Sequence, residues 1–344
     1  MPPDRMLSVV TAVGDRYTRA LRFFRSSRPD PGAGPADLRL RIAERRVEAD
    51  EVVSLRLVRP DGGPLPAWQP GCHLDVTLPS SRRRQYSLCG DPADRRAYRI
   101  AVRRLSTGGG GSREIHRLTA GETVTVRGPR NAFPFVAEGP LLLIAGGIGI
   151  TPVLPMAREG ARRGLDWRLV YTGRTRASMS FLGELERLGD RAFIRPDDEY
   201  GVPSVDDLLA GAAAGGSVYC CGPAPMLALV RAGFRATGAR SLHFERFSPP
   251  PVVDGRPLDV ELRRSGGVLR VPADRSVLSV VRDARPNVAY SCQQGFCGTC
   301  RARVLPGSDP VDHRDRRLTD AQRAAGDMLI CVSRVHGDRL VLDL

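Results

Sequence analysis

Four of the eight cysteines in this 344-residue chain stand at a spacing that carries chemistry. Cys292, Cys297 and Cys300 share the run Cys-Gln-Gln-Gly-Phe-Cys-Gly-Thr-Cys, and Cys331 follows further on. Three thiolates on one tight loop, with a fourth from a later segment, form the plant-type arrangement that holds a [2Fe–2S] cluster. Gly295 and Gly298 let such a loop curl close to an inorganic core, where a Cβ would crowd it. Backbone N–H groups of the loop can then point at the sulfurs and tune the potential. A zinc site usually shows two short Cys/His pairs, whereas Cys297 and Cys300 form one short pair and Cys331 has no companion. Disulfides are poor candidates, because a cytosolic chain keeps its thiols reduced.

A second group of candidates lies far upstream. The segment Arg84-Gln85-Tyr86-Ser87 reads as a strand, so Arg84 and Tyr86 share one face while Gln85 and Ser87 take the other. A guanidinium fork beside an aromatic ring suits a phosphate and a flat ring system. The run Thr107-Gly108-Gly109-Gly110-Gly111-Ser112 then opens a helix predicted over 113–118. Free N–H groups at a helix start receive phosphate, and glycines let it approach. Singly these are a surface pair and a flexible loop; together Arg84, Tyr86, Ser87, Gly110, Gly111 and Ser112 point to a flavin.

The third group is split in two. Ala145-Gly146-Gly147-Ile148-Gly149-Ile150-Thr151-Pro152 follows an apolar strand and opens a helix, where α/β sheets bind nucleotides. It lacks the full G-x-G-x-x-G arrangement, so it is not an ordinary Rossmann fingerprint. Cys220-Cys221-Gly222-Pro223 is again a strand end entering a helix. A thiol, a glycine and a proline there make a compact, neutral wall for a nicotinamide. Cys220 reads as a buried structural residue and Cys221 as the functional one. Arg174 and Arg176 follow the next strand and are placed for an adenosine ribose or its phosphate, which leaves NADH against NADPH open. Glu245 falls near the nicotinamide and Phe247 over the flavin, each with a plain core or surface reading of equal weight.

These groups need elements to hold them. The length suits two or three domains. Short alternating runs over 38–43, 52–58, 73–78, 85–88, 98–103 and 123–127 predict a small antiparallel β-barrel across 37–138. Strand–helix alternation across 139–248 predicts an open parallel α/β sheet. Residues 249–257, with three consecutive prolines, form a tether. A hairpin at 258–263 and 268–271, a helix at 277–284 and the cysteine loop occupy 258–344. Ahead of all this, Val9, Val10, Val13, Tyr17, Leu21 and Phe24 recur at helical spacing in an extension, 1–36, that ends in a Pro/Gly linker. A basic amphipathic helix there suits a membrane surface or a partner, though packing on its own protein is the favoured reading.

The formal charge of +14 comes wholly from arginine. The arginines are dispersed, aromatics are 6%, and no nucleic-acid motif accompanies them, so an acidic protein partner is the better electrostatic expectation than nucleic acid. No secretory signal is visible and no apolar run is long enough to cross a bilayer, so the chain reads as cytoplasmic.

From residue 37 onward the sequence resembles the phthalate dioxygenase reductase family, which includes vanillate demethylase reductases and lies within the ferredoxin–NADP reductase superfamily. The matching pieces are Arg84–Ser87, the Gly108–Ser112 turn, Gly146–Pro152, Cys221–Pro223, Glu245–Phe247 and the four cysteines. Their order matters, because this family carries its ferredoxin domain last. The resemblance implies a Greek-key barrel, a nucleotide-binding α/β domain and a β-grasp ferredoxin domain. It implies FMN rather than FAD, with Arg84 and Ser112 near its phosphate and Tyr86 against the ring. It also implies NADH as donor, with Thr151 near the nicotinamide. The activity implied is electron transfer from NADH through FMN and [2Fe–2S] to a separate protein, a terminal Rieske-type oxygenase or demethylase. A cytochrome P450 as acceptor is one alternative; a zinc-stabilised nucleotide-sensing module is a remote one. The extension 1–36 departs from the usual family core.

Overall fold

A computed structural model describes residues 37–106, 110–136 and 139–344. The helix expected in the extension and the glycine-run residues Thr107, Gly108 and Gly109 lie outside the described residues. Residues 37–344 form one compact unit.

Six strands open that unit: β1 Leu38–Ala49, β2 Val52–Val58, β3 Cys72–Thr77, β4 Arg83–Ser87, β5 Ala97–Arg103 and β6 Thr123–Asn131. They pair antiparallel in the order β4-β3-β6-β1-β2-β5. A bridge between Leu88 and Ile100 joins the two outer strands and closes the barrel. Period-two alternation sends Leu40, Ile42, Leu55, Leu57, Leu74 and Val76 into the interior, all fully buried. The short helix α1, Gly111–Arg117, plugs one end through Ile115.

Five parallel strands follow: β7 Leu141–Gly146, β8 Trp167–Gly173, β9 Ala192–Pro196, β10 Ser217–Cys221 and β11 Ser241–Glu245. All of β7 is buried, as expected of a central strand with apolar residues on both faces. The order is β11-β10-β7-β8-β9. The chain therefore runs outward from β7 to β9, then returns to the other side of β7 for β10. That reversal is a topological switch point, where α/β sheets leave a crevice beyond the carboxyl ends of the strands. Helices α2 Ile150–Arg162, α3 Leu182–Glu186, α4 Asp197–Tyr200, α5 Val205–Leu209 and α6 Ala224–Gly233 connect them. Both α3 and α5 are shorter than the helices that the apolar pattern predicts over 181–188 and 205–213, each followed within two or three residues by a glycine, Gly189 and Gly211.

Barrel and parallel sheet are clamped by a half-buried ionic group. Arg99 on β5 donates to Glu184 Oε1 at 2.6 Å and Oε2 at 3.0 Å, while Arg158 on α2 reaches Glu184 and donates to Gly90 O at 2.9 Å. Losing both arginines would strand a half-buried carboxylate, which is costly because it was desolvated to make the pairs.

The last part holds a hairpin, β12 Leu258–Leu262 with β13 Val268–Val271, and β18 Arg339–Leu342 lies parallel to β12. Helix α7, Val277–Ala284, packs over it and is capped by the Ser276 hydroxyl, which accepts from Ser279 N. Two small ladders, β14 Arg301–Arg303 with β16 Asp327–Leu329 and β15 Val311–Asp312 with β17 Arg334–Val335, frame the cysteine loop. Buried Arg334 donates to Arg256 O at 2.5 Å and Arg275 O at 2.8 Å, and Arg314 donates to Val253 O at 2.6 Å. The tether is thus pinned at its distal half. Among the described residues no helix is long and apolar enough to cross a membrane.

Candidate electron-transfer junction

The cysteine loop is shaped by three residues with left-handed backbone: Gln293 (φ 58°), Gly295 (φ 79°) and Gly298 (φ 83°). A Cβ on Gly295 would stand 2.8 Å from Val332 Cγ2, so only glycine lets the Cys331 segment close over the loop. Cys292, Cys300 and Cys331 are buried, and Cys297 is partly exposed. The four thiols influence one another in two neighbouring pairs, Cys292 with Cys297 and Cys300 with Cys331. Among the described residues no group of three or more Cys, His, Asp or Glu is arranged to hold a metal ion. Within each pair the neighbouring thiol is the main influence: Cys297 and Cys300 are pushed down, Cys292 and Cys331 up. Gln294 N–H points at Cys292 Sγ (3.3 Å) and Thr299 N–H at Cys297 Sγ (3.5 Å). Four soft sulfurs in an N–H-lined loop fit an iron–sulfur group.

The loop is seated on both preceding parts. Tyr290 lies between two guanidinium groups, with Arg84 Cζ at 4.1 Å and Arg282 Cζ at 3.8 Å from its ring centroid. Its hydroxyl meets the Arg84 guanidinium. Phe296 stands edge-on to His73 of β3, centroids 6.2 Å apart, and Gln294 Nε2 donates to Arg246 O at 2.7 Å. None of His73, Tyr290, Gln294 and Phe296 was singled out by sequence. Nothing in an alternating strand reveals that β3 will face a loop far along the chain.

On β4, Arg84 and Tyr86 do share a face, and Tyr86 packs against the barrel core, with burial raising its phenol. The Arg84 side chain runs along Gly111: a Cβ there would meet Arg84 Cγ at 2.9 Å. Arginine fork and glycine turn thus come together. Gly110 (φ 77°) precedes α1, and Ser112 Oγ accepts from Leu105 N at 3.1 Å, so its hydroxyl braces the turn. The other face of β3 and β4 carries His73, Asp75, Gln85 and Ser87 in register. His73 Nε2, Asp75 Oδ1 and Gln85 Nε2 are buried without a partner, and burial lowers His73 to about 4, keeping it neutral. Orphaned polar atoms beside the loop fit a polar ring system.

At the switch point the two glycine motifs meet because β7 and β10 are hydrogen-bonded neighbours, Ala145 opposite Cys221. A Cβ on Gly149 would collide with the Cys221 carbonyl, and one on Gly146 would stand 2.7 Å from Pro223 Cδ. One on Gly222 would collide with Met226 Cε. Gly147 (φ 53°) lies on the Arg103 side. Gly146, Gly149 and Gly222 let the ends of β7 and β10 and the turn into α2 approach this closely. Thr151 is buried and its hydroxyl donates to Ile148 O at 3.0 Å, fixing the turn. Cys220 and Cys221 are both fully buried, on opposite faces of β10; burial and the nearby Glu245 carboxylate push the Cys221 thiol up. Cys221 is thus no more open than Cys220, and its carbonyl is what touches the glycine turn. Glu245 ends β11 opposite Cys221, with Oε2 sealed off and unpartnered, and burial raises it to about 8. Phe247 is 47% exposed. Arg174 is exposed past β8, whereas Arg176 is paired with Glu199 at 3.2 Å.

Residues 260–336 match the 2Fe-2S iron-sulfur cluster binding domain family. Over 316 residues the chain is 38% identical to phthalate dioxygenase reductase from Burkholderia cepacia, spanning 89% of this chain and 97% of that one. It is 39% identical over 315 residues to the vanillate O-demethylase oxidoreductase of a Pseudomonas species, with 88% and 98% covered. Among solved structures it is similar to phthalate dioxygenase reductase, described as a modular structure for electron transfer from pyridine nucleotides to [2Fe-2S]. That match has TM-score 0.66 and 37% identity, over 90% of this chain and 98% of that one. It is also similar to an intact type IV self-sufficient cytochrome P450 monooxygenase (TM-score 0.65, 38% identity), covering 95% of this chain but only 44% of the P450 chain.

Proposed function

The chain belongs to the phthalate dioxygenase reductase family, and from that premise we propose that it takes a hydride from NADH and delivers the two electrons singly, by way of FMN and [2Fe–2S], to a terminal oxygenase. The observation that carries this reading is the seating of the cysteine loop. Through Tyr290 and Phe296 it touches the barrel beside Arg84 and His73, and through Gln294 it touches the end of the parallel sheet. When bound, the flavin supplies the exchange between paired and single electrons, and the iron pair relays them one at a time.

The chain's own residues orient and insulate. Gly146, Gly147, Gly149, Gly222 and Pro223 clear the floor on which the nicotinamide lies, with Thr151 holding the turn and Cys221 sealing it from below. Glu245 keeps its proton at neutral pH and borders the same space; Phe247 is the ring free to cover the flavin. Arg84 and the Gly110-Gly111-Ser112 turn receive the phosphate, while Tyr86 and Ser87 border the ring. Cys292, Cys297, Cys300 and Cys331 hold the iron. NADH rather than NADPH is supported by exposed Asp198, whose N–H donates to Arg174 O at 3.1 Å and whose carboxylate, with no ion-pair partner among the described residues, repels a 2′-phosphate. The working division is 37–138 for flavin, 139–248 for nucleotide and 258–344 for iron, with 249–257 as tether, since each part has its own sheet. A cytoplasmic setting is supported by eight cysteines without a disulfide.

Cys297→Ser is expected to abolish NADH-driven cytochrome c reduction while NADH-driven ferricyanide reduction persists. Loss of both with flavin still bound overturns the relay. The likeness to the self-sufficient P450 leaves a P450 acceptor as the alternative; supplying each acceptor class separately with NADH decides between them.

A further inference from the structure

The cysteine loop has two sides, and only one is used inside the chain. Gln294 and Phe296 face Arg246 and His73. The arc from Cys297 to Thr299 is partly exposed and meets neither the barrel nor the parallel sheet through any described hydrogen bond or ring contact. That open arc is edged by arginine. Arg316 N–H donates to Gly295 O at 3.1 Å, and Arg301 N–H donates to Gly298 O at 3.2 Å. The Arg317 side chain lies over Gly298, 3.7 Å from where a Cβ would stand.

Arg301, Arg316 and Arg317 are exposed, and among the described residues Arg316 and Arg317 have no carboxylate within ion-pair distance. Of the acidic groups nearby, Asp315 and Asp327 are 7% and 8% exposed and already paired, Asp315 with Arg323 and Asp327 with Arg301 and Arg303. Only Asp320, at the start of α8 (Asp320–Ala324), is exposed. The rim is therefore basic beside the partly exposed arc that carries Cys297. A field of one sign around a small exit steers partners of the opposite sign and rejects like-charged ones.

We propose that the Arg301–Arg316–Arg317 rim is the docking surface for the electron acceptor, and that the acceptor is a protein presenting a carboxylate-rich patch around its own redox centre. This rests on the relay proposed above. One electron crosses the rim for each acceptor reduced, and two acceptors are reduced for each NADH oxidised to NAD⁺ and H⁺. Inward delivery through Tyr290 and Phe296 is independent of the rim.

The test uses the full chain carrying its flavin and cluster. An acidic Rieske-type [2Fe–2S] ferredoxin and basic cytochrome c serve as one-electron acceptors of opposite charge. In Arg316→Glu/Arg317→Glu, reduction of the acidic acceptor at low salt is expected to fall by about tenfold or more and to lose its salt dependence. Reduction of cytochrome c is expected to rise. NADH-driven bleaching of the chain's own cluster stays at the parent rate. The lysine pair Arg316→Lys/Arg317→Lys retains the parent behaviour, and the equal charge change Arg39→Glu/Arg41→Glu, on exposed barrel positions, lowers the acidic-acceptor rate less than twofold. Equal effects of the two charge reversals, or parallel losses with both acceptors, overturn the docking surface. Failure of NADH to bleach the cluster in the parent chain overturns the relay instead.

Discussion

The cysteine loop and the nucleotide crevice are both glycine-shaped, but they are built in different ways. Three of the four proposed iron ligands share one short run, and positive φ at Gln293, Gly295 and Gly298 bends that run within itself. Only Cys331 must arrive from elsewhere. The crevice has no such local core. Gly146 and Gly149 leave β7, Gly222 and Pro223 leave β10, and they meet because two distant strands are parallel neighbours at a switch point. A loop of the first kind can lose its function by losing a ligand while its surroundings stay folded. A crevice of the second kind fails by packing, because Gly146, Gly149 and Gly222 are each pressed by backbone or by a side chain.

Gly149→Val attacks that difference most directly. Its Cβ would collide with the Cys221 carbonyl, and neither strand end can retreat without disturbing the sheet. NADH-driven ferricyanide reduction is expected to fall by about a hundredfold or more, a 1 Å misplacement being enough for that. The visible spectrum of the dithionite-reduced cluster stays at parent intensity. Turnover within twofold of the parent would mean that the nicotinamide lies elsewhere.

On the cysteine side the corresponding change is Tyr290→Leu, which removes the ring held between Arg84 and Arg282. Each cation–π contact contributes about 0.5–1 kcal/mol. Electron passage from flavin to cluster, followed by stopped flow, is expected to slow several-fold with both groups fully retained; Tyr290→Phe, which keeps the stack, recovers most of the rate. An unchanged rate in the leucine variant would remove Tyr290 from the coupling.

The smallest effect separates the two regions by pH. Glu245 at the crevice edge titrates near 8 because its Oε2 is shut away from water. Its folded form holds a proton more tightly than the unfolded chain, where the value is 4.5, so its stabilising contribution is full below 4.5 and drains as pH rises towards 8. Glu245→Gln is expected to flatten the dependence of Tm on pH across that window by several degrees. An unaltered slope would put the carboxylate in contact with solvent.

The strands of the barrel and of the parallel sheet were legible from alternation and from apolar runs, and their observed ranges extend the expected ones by a few residues where the ladder continues into polar sequence, as β1 does to Ala49. Short helices were less legible, because a glycine near the end shortens what the apolar pattern alone prolongs. At the site, the pairing of Arg84 with the glycine turn and of Gly149 with Cys221 was legible as motif and is accounted for by contact. The distinction drawn between Cys220 and Cys221 was not: both side chains are buried, and strand alternation says which face a residue takes, never how well the neighbouring helices cover it.

By itself the sequence determined the parts whose chemistry is local. Cysteine spacing, glycine turns and strand periodicity depend on bond geometry over a few residues, and these survive in any tertiary setting. What only the tertiary structure decided is which local parts face one another: His73 against Phe296, Tyr290 between two arginines, Gln294 on Arg246, and a basic rim left on the open side of the loop. Those contacts join residues far apart in the chain. Their placement follows from how sheets stack and close, a global packing outcome that no short window of residues contains.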